Sequence, residues 1–131
     1  MEENTTDKGI TILIAEDEES NFLLLKTILK KHCNVLHAKT GKELLEIYKK
    51  EHADLILMDI QMPIMNGYEA AAKIRRIDDR KKADIPIIAL TANAFSEDKD
   101  NAIKAGMNDH VPKPIDMNVL LPAMQKLITG K

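Results

Sequence analysis

Side chains capable of chemistry follow four separate apolar runs of the chain. Glu16 and Asp17 follow ITILIA, Asp59 follows LILM, Thr91 follows IIAL, and Lys113 comes two residues after HV. If these runs are parallel strands, their carboxyl ends meet at one edge of a sheet, which is where open α/β sheets bind ligands. The pattern therefore predicts a site built from carboxylates, a hydroxyl and an ammonium group.

The three carboxylates of this site need a compensating cation. At separations of about 5 Å each pair repels by roughly 3 kcal/mol at an effective dielectric near 20. Lys113 supplies one positive charge, whereas Mg²⁺, or the similar Mn²⁺, prefers oxygen ligands and keeps positions open for phosphate oxygens. A carboxylate can then act as a nucleophile on phosphorus, while Thr91 and Lys113 hold the other phosphoryl oxygens.

Each of these residues also has an ordinary structural explanation. Acids after a strand often cap helices, threonine ends many strands, and Lys-Pro is a common loop sequence. The coincidence of such residues with four strand ends favours the functional interpretation over four separate accidents.

The apolar pattern predicts the elements that must position these side chains. Short aliphatic runs, typical of strands buried on both faces, cover 10–15, 35–38, 55–58, 85–90 and 110–111. A helical pattern follows each run, with a capping-box pattern at Thr40 and Glu43, a small-residue stripe from Gly67 to Ile74 and a cap at Ser96. Five strands alternating with five helices predict a doubly wound parallel α/β sheet.

Two segments are less regular. The last helix is predicted to start at Asp116, with Leu120 and Leu121 on its buried face. Pro122 removes a hydrogen bond from this helix, so we expect a kink or a late start. The charged segment 75–84, RRIDDRKKAD, has no apolar period and is predicted to be a solvated linker.

Composition is typical of one globular domain. The chain has 131 residues, 3% aromatic side chains, a formal net charge of −2 and one cysteine. The balanced charge argues against nucleic-acid or membrane-surface binding, and one thiol excludes an intramolecular disulfide or a multi-cysteine zinc site.

We predict a cytoplasmic protein with a flexible tail, 1–9, and one domain, 10–129. His32, His37 and His52 have no metal-ligand spacing and are predicted to be exposed.

Four blocks of the sequence carry a family resemblance. They are LIAEDEESN, LILMDIQMPIMNGYEA, IIALTANAF and AGMNDHVPKPI. Together they resemble the receiver domain of response regulators in bacterial two-component systems, and most of all the receivers of hybrid sensor histidine kinases. The resemblance implies a flavodoxin-like fold with strand order 2-1-3-4-5. It also implies a phosphoacceptor that takes a phosphoryl group from phosphohistidine and changes conformation.

The resemblance assigns roles to the acidic residues. It implies that Asp59 is the phosphoacceptor and also a Mg²⁺ ligand, together with Asp17. Glu16 would act on the metal through water, and Gln61 through its backbone carbonyl. Gln61 and Asn93 also stand where this family tunes the attack of water on the aspartyl phosphate.

The resemblance also assigns a switch. Thr91 would be the switch hydroxyl, Lys113 the cation that contacts the phosphoryl group, and Pro114 would follow a cis peptide bond. His110 stands where the family usually has a rotating Tyr or Phe, so either an altered switch or a plain surface histidine remains open. Relatives use the face of the fourth predicted helix, fifth strand and last helix for partner binding. Pro122 would perturb the last helix, which puts dimerisation by that face in doubt and leaves at most a weak homodimer.

The implied partners are a sensor histidine kinase or a histidine phosphotransfer protein. By itself such a domain is not a turnover enzyme, although a longer parent protein could be a histidine kinase. The chain is therefore predicted to be either a stand-alone receiver or the receiver part of a hybrid kinase.

Three rival functions fit the sequence less well. A haloacid-dehalogenase-like phosphatase needs an acid where Gln61 stands, and also room for a cap domain. A flavodoxin-type cofactor binder needs a phosphate loop after the first strand, where acids would repel an anion. A receiver-shaped interaction module that is never phosphorylated would not need the full set of reactive side chains.

Overall fold

The structure is a computed structural model that describes residues 9–60, 65–91 and 96–129. Except for Gly9, the predicted tail 1–9 lies outside these residues. Within them are five strands and six helices, with one helix after each strand except the third, which two helices follow. The strands are β1 (Thr11–Ala15), β2 (Asn34–Ala38), β3 (Leu55–Asp59), β4 (Ile87–Thr91) and β5 (Asp109–Pro112). The helices are α1 (Glu19–Leu29), α2 (Gly41–Lys50), α3 (Gly67–Arg75), α4 (Arg80–Ala83), α5 (Ser96–Lys104) and α6 (Met117–Thr129).

The strands form one parallel sheet in the order β2-β1-β3-β4-β5. This confirms the doubly wound fold and the strand order that the family resemblance implied. The three central strands are mostly aliphatic because helices cover both of their faces. In the sheet, β3 lies between β1 and β4, so the carboxyl ends of these three strands are neighbours.

The sheet separates two hydrophobic cores, because alternate residues of a strand point to opposite faces. One face carries Ile12, Ile14, Leu57 and Leu90 and packs against α1 and α6. The other face carries Leu13, Ile56, Met58 and Ala89 and packs against α2, α3 and α5. The predicted small-residue stripe of α3 is fully buried here: Gly67, Ala70, Ala71 and Ile74.

The helix caps differ in part from the prediction. The Thr40 hydroxyl accepts the N–H of Glu43 at 3.0 Å, but the Glu43 carboxylate accepts the N–H of Lys39 at 2.9 Å. A reciprocal capping box forms instead at the start of α3, where Asn66 and Glu69 each accept the other's backbone N–H. This cap holds the helix that follows the end of β3.

Helix α6 begins at Met117, and the Asp116 carboxylate caps it by accepting the N–H of Asn118 at 2.9 Å. The expected late start is therefore wrong, while the expected kink stays a prediction. Pro122 and Asn118 are both exposed, so water can solvate the Asn118 carbonyl that the proline leaves unbonded. Leu121 is 38% exposed, which contradicts its predicted burial, because a narrow helix face that buries Leu120 turns the next residue away.

The prediction of a solvated linker at 75–84 is wrong. Arg75 belongs to α3 and is half-buried, and Arg80–Ala83 forms the one-turn helix α4, one more helix than predicted. The Arg75 guanidinium donates to the carbonyls of Ile85 at 2.7 Å and Gly106 at 2.8 Å, and to Asn108 Oδ1 at 3.0 Å. A charge pattern cannot reveal this, because the acceptors come from distant parts of the chain.

Within the described residues, no helix is long and apolar enough to cross a membrane.

Candidate functional site

The reactive side chains lie at the carboxyl edge of the sheet. Glu16 directly follows β1, Asp59 ends β3, Thr91 ends β4, and Lys113 directly follows β5. Four of the five strands therefore place a reactive side chain at, or directly after, their carboxyl end. Glu16, Asp59 and Thr91 are 1%, 3% and 2% exposed, so they are buried polar groups that need partners.

Lys113 joins the two buried carboxylates. Its Nζ lies 3.1 Å from Glu16 Oε1 and 3.1 Å from Asp59 Oδ2. Its backbone N–H donates to the carbonyl of Thr91 at 2.6 Å, which ties the loop after β5 to the end of β4. The peptide bond between Lys113 and Pro114 is cis. The ammonium group thus contacts residues that follow β1 and end β3.

Asp17 completes an acidic cluster. Carboxylate oxygens of Glu16, Asp17 and Asp59 all lie within 4.8 Å of one another, and Asp17 is the exposed member. The three acids outnumber the single ammonium of Lys113, so the site as a whole carries excess negative charge. An excess of this kind attracts cations.

Burial and neighbouring charges shift the pKa values of Glu16 and Lys113. Burial, and then the charge of Asp59, raise the pKa of Glu16 to about 7, although Lys113 and the N–H of Glu18 oppose the shift. Burial alone would lower the pKa of Lys113, but its hydrogen bonds and charge contacts with Asp59 and Glu16 raise it. Lys113 therefore stays charged near neutral pH, while Glu16 titrates there.

The donor set fits a hard divalent cation. Glu16 Oε2 accepts the N–H of Glu18 at 3.2 Å. Glu16 Oε1 is buried and close to Lys113 Nζ, but the contact lacks hydrogen-bond geometry, so this oxygen has no donor among the described residues. Lys113 Nζ also donates to Glu16 Oε2 at 3.5 Å, but one ammonium is shared by two buried carboxylates, and incompletely neutralised charge is costly when buried. A cation among Glu16, Asp17 and Asp59 would compensate that cost with oxygen ligands of the kind Mg²⁺ prefers.

Gly67 brings the start of α3 against the end of β3. A Cβ atom at this position would lie 2.7 Å from the carbonyl oxygen of Asp59 and 2.9 Å from Cα of Ile60. The N–H of Gly67 donates to the carbonyl of Ile60 at 2.9 Å. The sequence indicated Gly67 only as a packing residue, and its small size within an apolar stripe was the signal for this contact.

The structure does not bring every predicted residue into the site. His110 is half-buried and pairs in register with Ala89, which lies on the same sheet face as Thr91. His110 therefore lies on the strand next to Thr91, at a level two residues closer to the amino ends of the strands. Its role in the switch stays a prediction. Gln61 and Asn93 lie outside the described residues.

His37 is a residue that sequence reasoning misjudged. Like His32 and His52 it was predicted to be exposed, and the prediction holds for those two. His37 is half-buried instead, with its ring stacked on Phe22 and its Nε2 atom 2.8 Å from the backbone carbonyl of Glu16. Nothing in the spacing of histidines along the chain predicts a contact between β2, α1 and the loop 16–18, which is called the acidic loop below.

Comparison with known proteins identifies the class to which this fold and site belong. Residues 12–125 match the family model for the response regulator receiver domain. The chain is 43% identical to hybrid signal transduction histidine kinase I of Dictyostelium discoideum over 83% of its own length, but it spans only 7% of that relative. This protein belongs to the response regulator receiver family.

Two solved structures are similar over nearly the whole chain. One is the receiver domain of the sensor histidine kinase PA1611 from Pseudomonas aeruginosa, with a magnesium ion in its active-site cleft. It is 33% identical, with a TM-score of 0.83, and the match covers 93% of this chain and 98% of that one. The other comes from the co-crystal structure of the Saccharomyces cerevisiae histidine phosphotransfer protein Ypd1 with the receiver domain of the response regulator Ssk1. It is 34% identical, with a TM-score of 0.85 and coverage of 91% and 88%.

Proposed function

We propose that this receiver domain accepts a phosphoryl group on Asp59 from a phosphohistidine. The observation that carries the proposal is the position of Lys113 Nζ, 3.1 Å from both Glu16 and Asp59, within a cluster of acids at the carboxyl edge of the sheet. Asp59 is buried at the end of a central strand, so its carboxylate is held in place by the sheet. A nucleophile that is already positioned lowers the entropic cost of reaction.

The same cluster supports a magnesium site. Asp17 and Asp59 would bind Mg²⁺, or Mn²⁺, directly, Glu16 through water, and Gln61 through its backbone carbonyl. When bound, the ion supplies positive charge next to the phosphoryl oxygens and offsets the excess of acids. The magnesium ion in the active-site cleft of the Pseudomonas aeruginosa receiver supports this assignment.

In the transfer step, an oxygen of Asp59 attacks phosphorus. A P–O bond forms, the P–N bond to the histidine breaks, and its electron pair returns to the imidazole nitrogen. Lys113 Nζ already lies beside Asp59 Oδ2 and would bind a phosphoryl oxygen, and the hydroxyl of Thr91 would donate to another. Charge neutralisation and positioning of this kind supply most of the catalysis in phosphoryl transfer.

The new charge on Asp59 would act as a switch. Lys113 and Thr91 would turn toward the phosphoryl group, which draws Lys113 away from Glu16 and biases the neighbouring loops between two states. Water would later hydrolyse the aspartyl phosphate slowly, so the domain by itself is a switch and not a turnover enzyme.

The donor would be a sensor histidine kinase or a histidine phosphotransfer protein. The complex of Ypd1 with the Ssk1 receiver, which is similar to this chain, supports a phosphotransfer partner. The match to hybrid histidine kinases supports a receiver that functions within, or together with, such a kinase. The cytoplasmic location, the domain bounds 10–129 and a weak homodimer stay predictions.

Incubation with acetyl phosphate and Mg²⁺, followed by intact-mass measurement, tests the proposal. We expect one added phosphoryl group on the wild-type protein and none on Asp59→Asn. Asp78→Asn, at an exposed position after α3, is the matched control and should be labelled like wild type. An adduct on Asp59→Asn would overturn the assignment of the nucleophile. Wild-type protein that stays unlabelled would favour a receiver-shaped interaction module.

A further inference from the structure

The ring of His37 connects an edge strand, a helix and the acidic loop. His37 lies in β2, and its imidazole stacks on the ring of Phe22 in α1, with ring centroids 3.6 Å apart and an interplanar angle of 6°. Its Nε2 atom lies 2.8 Å from the backbone carbonyl oxygen of Glu16. A carbonyl oxygen can only accept, so Nε2 carries the proton and donates.

This hydrogen bond completes the attachment of Glu16 to β2. The N–H of Glu16 donates to the carbonyl of Ala38 at 3.0 Å, and its C=O accepts from His37. Both backbone polar groups of Glu16 are thus held by neighbouring residues of one strand. Since Asp17 follows directly, the backbone that carries two of the three acids is oriented by β2.

The ring stack attaches the other side of the loop. Phe22 lies in the first turn of α1 and is 9% exposed. Its N–H donates to the carbonyl of Glu18 at 3.1 Å. The ring pair therefore holds the start of α1 against β2, with the loop 16–18 between them. One imidazole contacts the first residue of this loop, through a hydrogen bond at Glu16, and the helix that follows the loop, through the stack on Phe22.

We infer that His37 is a positioning residue for the acidic loop, which it holds in the geometry that binds a divalent cation. The inference rests on the proposed function, since it assigns a role in the same magnesium-dependent site. His37 touches neither the metal nor the phosphoryl group; it acts through the backbone of Glu16. Groups that orient metal ligands in this indirect way typically change metal affinity by 10- to 100-fold when they are replaced.

Two substitutions separate the hydrogen bond from the stack. His37→Phe keeps an aromatic ring against Phe22 but removes the donor, whereas His37→Gln restores a donor near the position of Nε2 without the ring. His32→Phe is the matched control, because His32 is exposed and precedes β2 at the opposite edge of the sheet. Isothermal titration calorimetry with Mg²⁺ alone measures the dissociation constant of each protein.

We expect His37→Phe to weaken Mg²⁺ binding about tenfold, and His37→Gln to recover most of that loss. Phosphorylation of His37→Phe by acetyl phosphate should be slow at low Mg²⁺ and approach the wild-type rate at saturating Mg²⁺. His32→Phe should match wild type in both measurements.

Two outcomes would overturn the inference. One is wild-type Mg²⁺ affinity in His37→Phe. The other is equal weakening in His37→Phe and His37→Gln with a matching loss of thermal stability, which would mean that His37 only stabilises the fold. Failure of the proposed function is distinguishable, because wild-type protein would then show neither Mg²⁺ binding nor a phosphoryl adduct.

Discussion

Two half-buried cations of this molecule have opposite surroundings. At the carboxyl edge, Lys113 contacts the carboxylates of Glu16 and Asp59, and a further acid lies beside them. Toward the amino ends of β4 and β5, Arg75 donates to neutral acceptors, among them the carbonyl of Ile85 and Oδ1 of Asn108. The first cluster has surplus charge and a buried oxygen without a donor, whereas the second is satisfied.

The satisfied cluster is structural. The guanidinium of Arg75 also donates to the carbonyls of Ala83 and Gly106. Gly106 has φ +97°, and a Cβ there would lie 2.8 Å from Cγ of Arg75, so this packing requires glycine. Burial lowers the pKa of Arg75, yet a guanidinium stays charged in proteins. Buried polar groups with complete hydrogen bonding stabilise one arrangement, while groups left incomplete indicate where a ligand belongs.

The largest effect expected from this comparison concerns Lys113. Lys113→Met should slow phosphorylation by acetyl phosphate about a hundredfold or more, because it removes a fixed positive charge from the transferring group. The rate of adduct formation, followed by intact mass at saturating Mg²⁺, measures this. Lys104→Met, at the exposed end of α5, is the control and should react like wild type. Equal rates in the two variants would show that the carboxyl-edge cation is not used.

The second prediction concerns Arg75. Arg75→Met should lower the free energy of unfolding by about 3 kcal/mol, since it leaves several half-buried oxygens without donors. Urea denaturation measures the loss. The Mg²⁺ dissociation constant should stay unchanged, because Arg75 and its acceptors lie toward the amino ends of the strands, away from Glu16, Asp17 and Asp59.

Arg76→Met provides the control for this experiment. Arg76 is the exposed neighbour of Arg75, and its replacement should change stability by no more than about 0.5 kcal/mol. If Arg75→Met weakened Mg²⁺ binding and Arg76→Met did not, the division into a structural and a functional cluster would be wrong.

The smallest expected effect is a gain in folding stability when Glu16 is replaced by glutamine. Its pKa is raised from 4.5 to about 7, so between these values the folded protein holds more protons than the unfolded chain. Stability should then fall as the pH rises across that window, and the cost is fully present above about pH 7. Glu16→Gln removes this cost and should stabilise the metal-free protein by about 1 kcal/mol at alkaline pH.

Urea denaturation of wild type and Glu16→Gln at acidic and alkaline pH tests whether the stability difference between them grows with pH. The advantage of Glu16→Gln should disappear toward pH 4.5, where the wild-type carboxyl is protonated. Added Mg²⁺ should also reduce it at alkaline pH. An advantage that stays constant with pH would show that Glu16 is not destabilised by its charge.

Most of the fold could be predicted from the sequence. Aliphatic runs such as ILIA and LILM are typical of strands buried on both faces, and their alternation with helical patterns leaves few topologies. The side chains at the strand ends could be named for the same reason, since Asp59 or Thr91 is conspicuous where an apolar run stops.

The mistaken predictions for Arg75 and His37 share a physical cause. Arg75 looked like part of a charged linker and His37 like a surface histidine, because their partners are distant in the chain. The guanidinium of Arg75 reaches residues near 85, 106 and 108, and His37 reaches Glu16 and Phe22. Periodicity reports which way a residue faces, but not which acceptor another segment places in front of it.

The sequence by itself determined the alternation of strands and helices and which polar residues end the strands, because both follow from local hydrophobic periodicity. Only the tertiary structure decided that Lys113 Nζ lies 3.1 Å from carboxylate oxygens of both Glu16 and Asp59, and that burial and the charge of Asp59 raise the pKa of Glu16 to about 7. Charge interactions depend on distance and burial, and those quantities exist only once segments far apart in the chain have packed together.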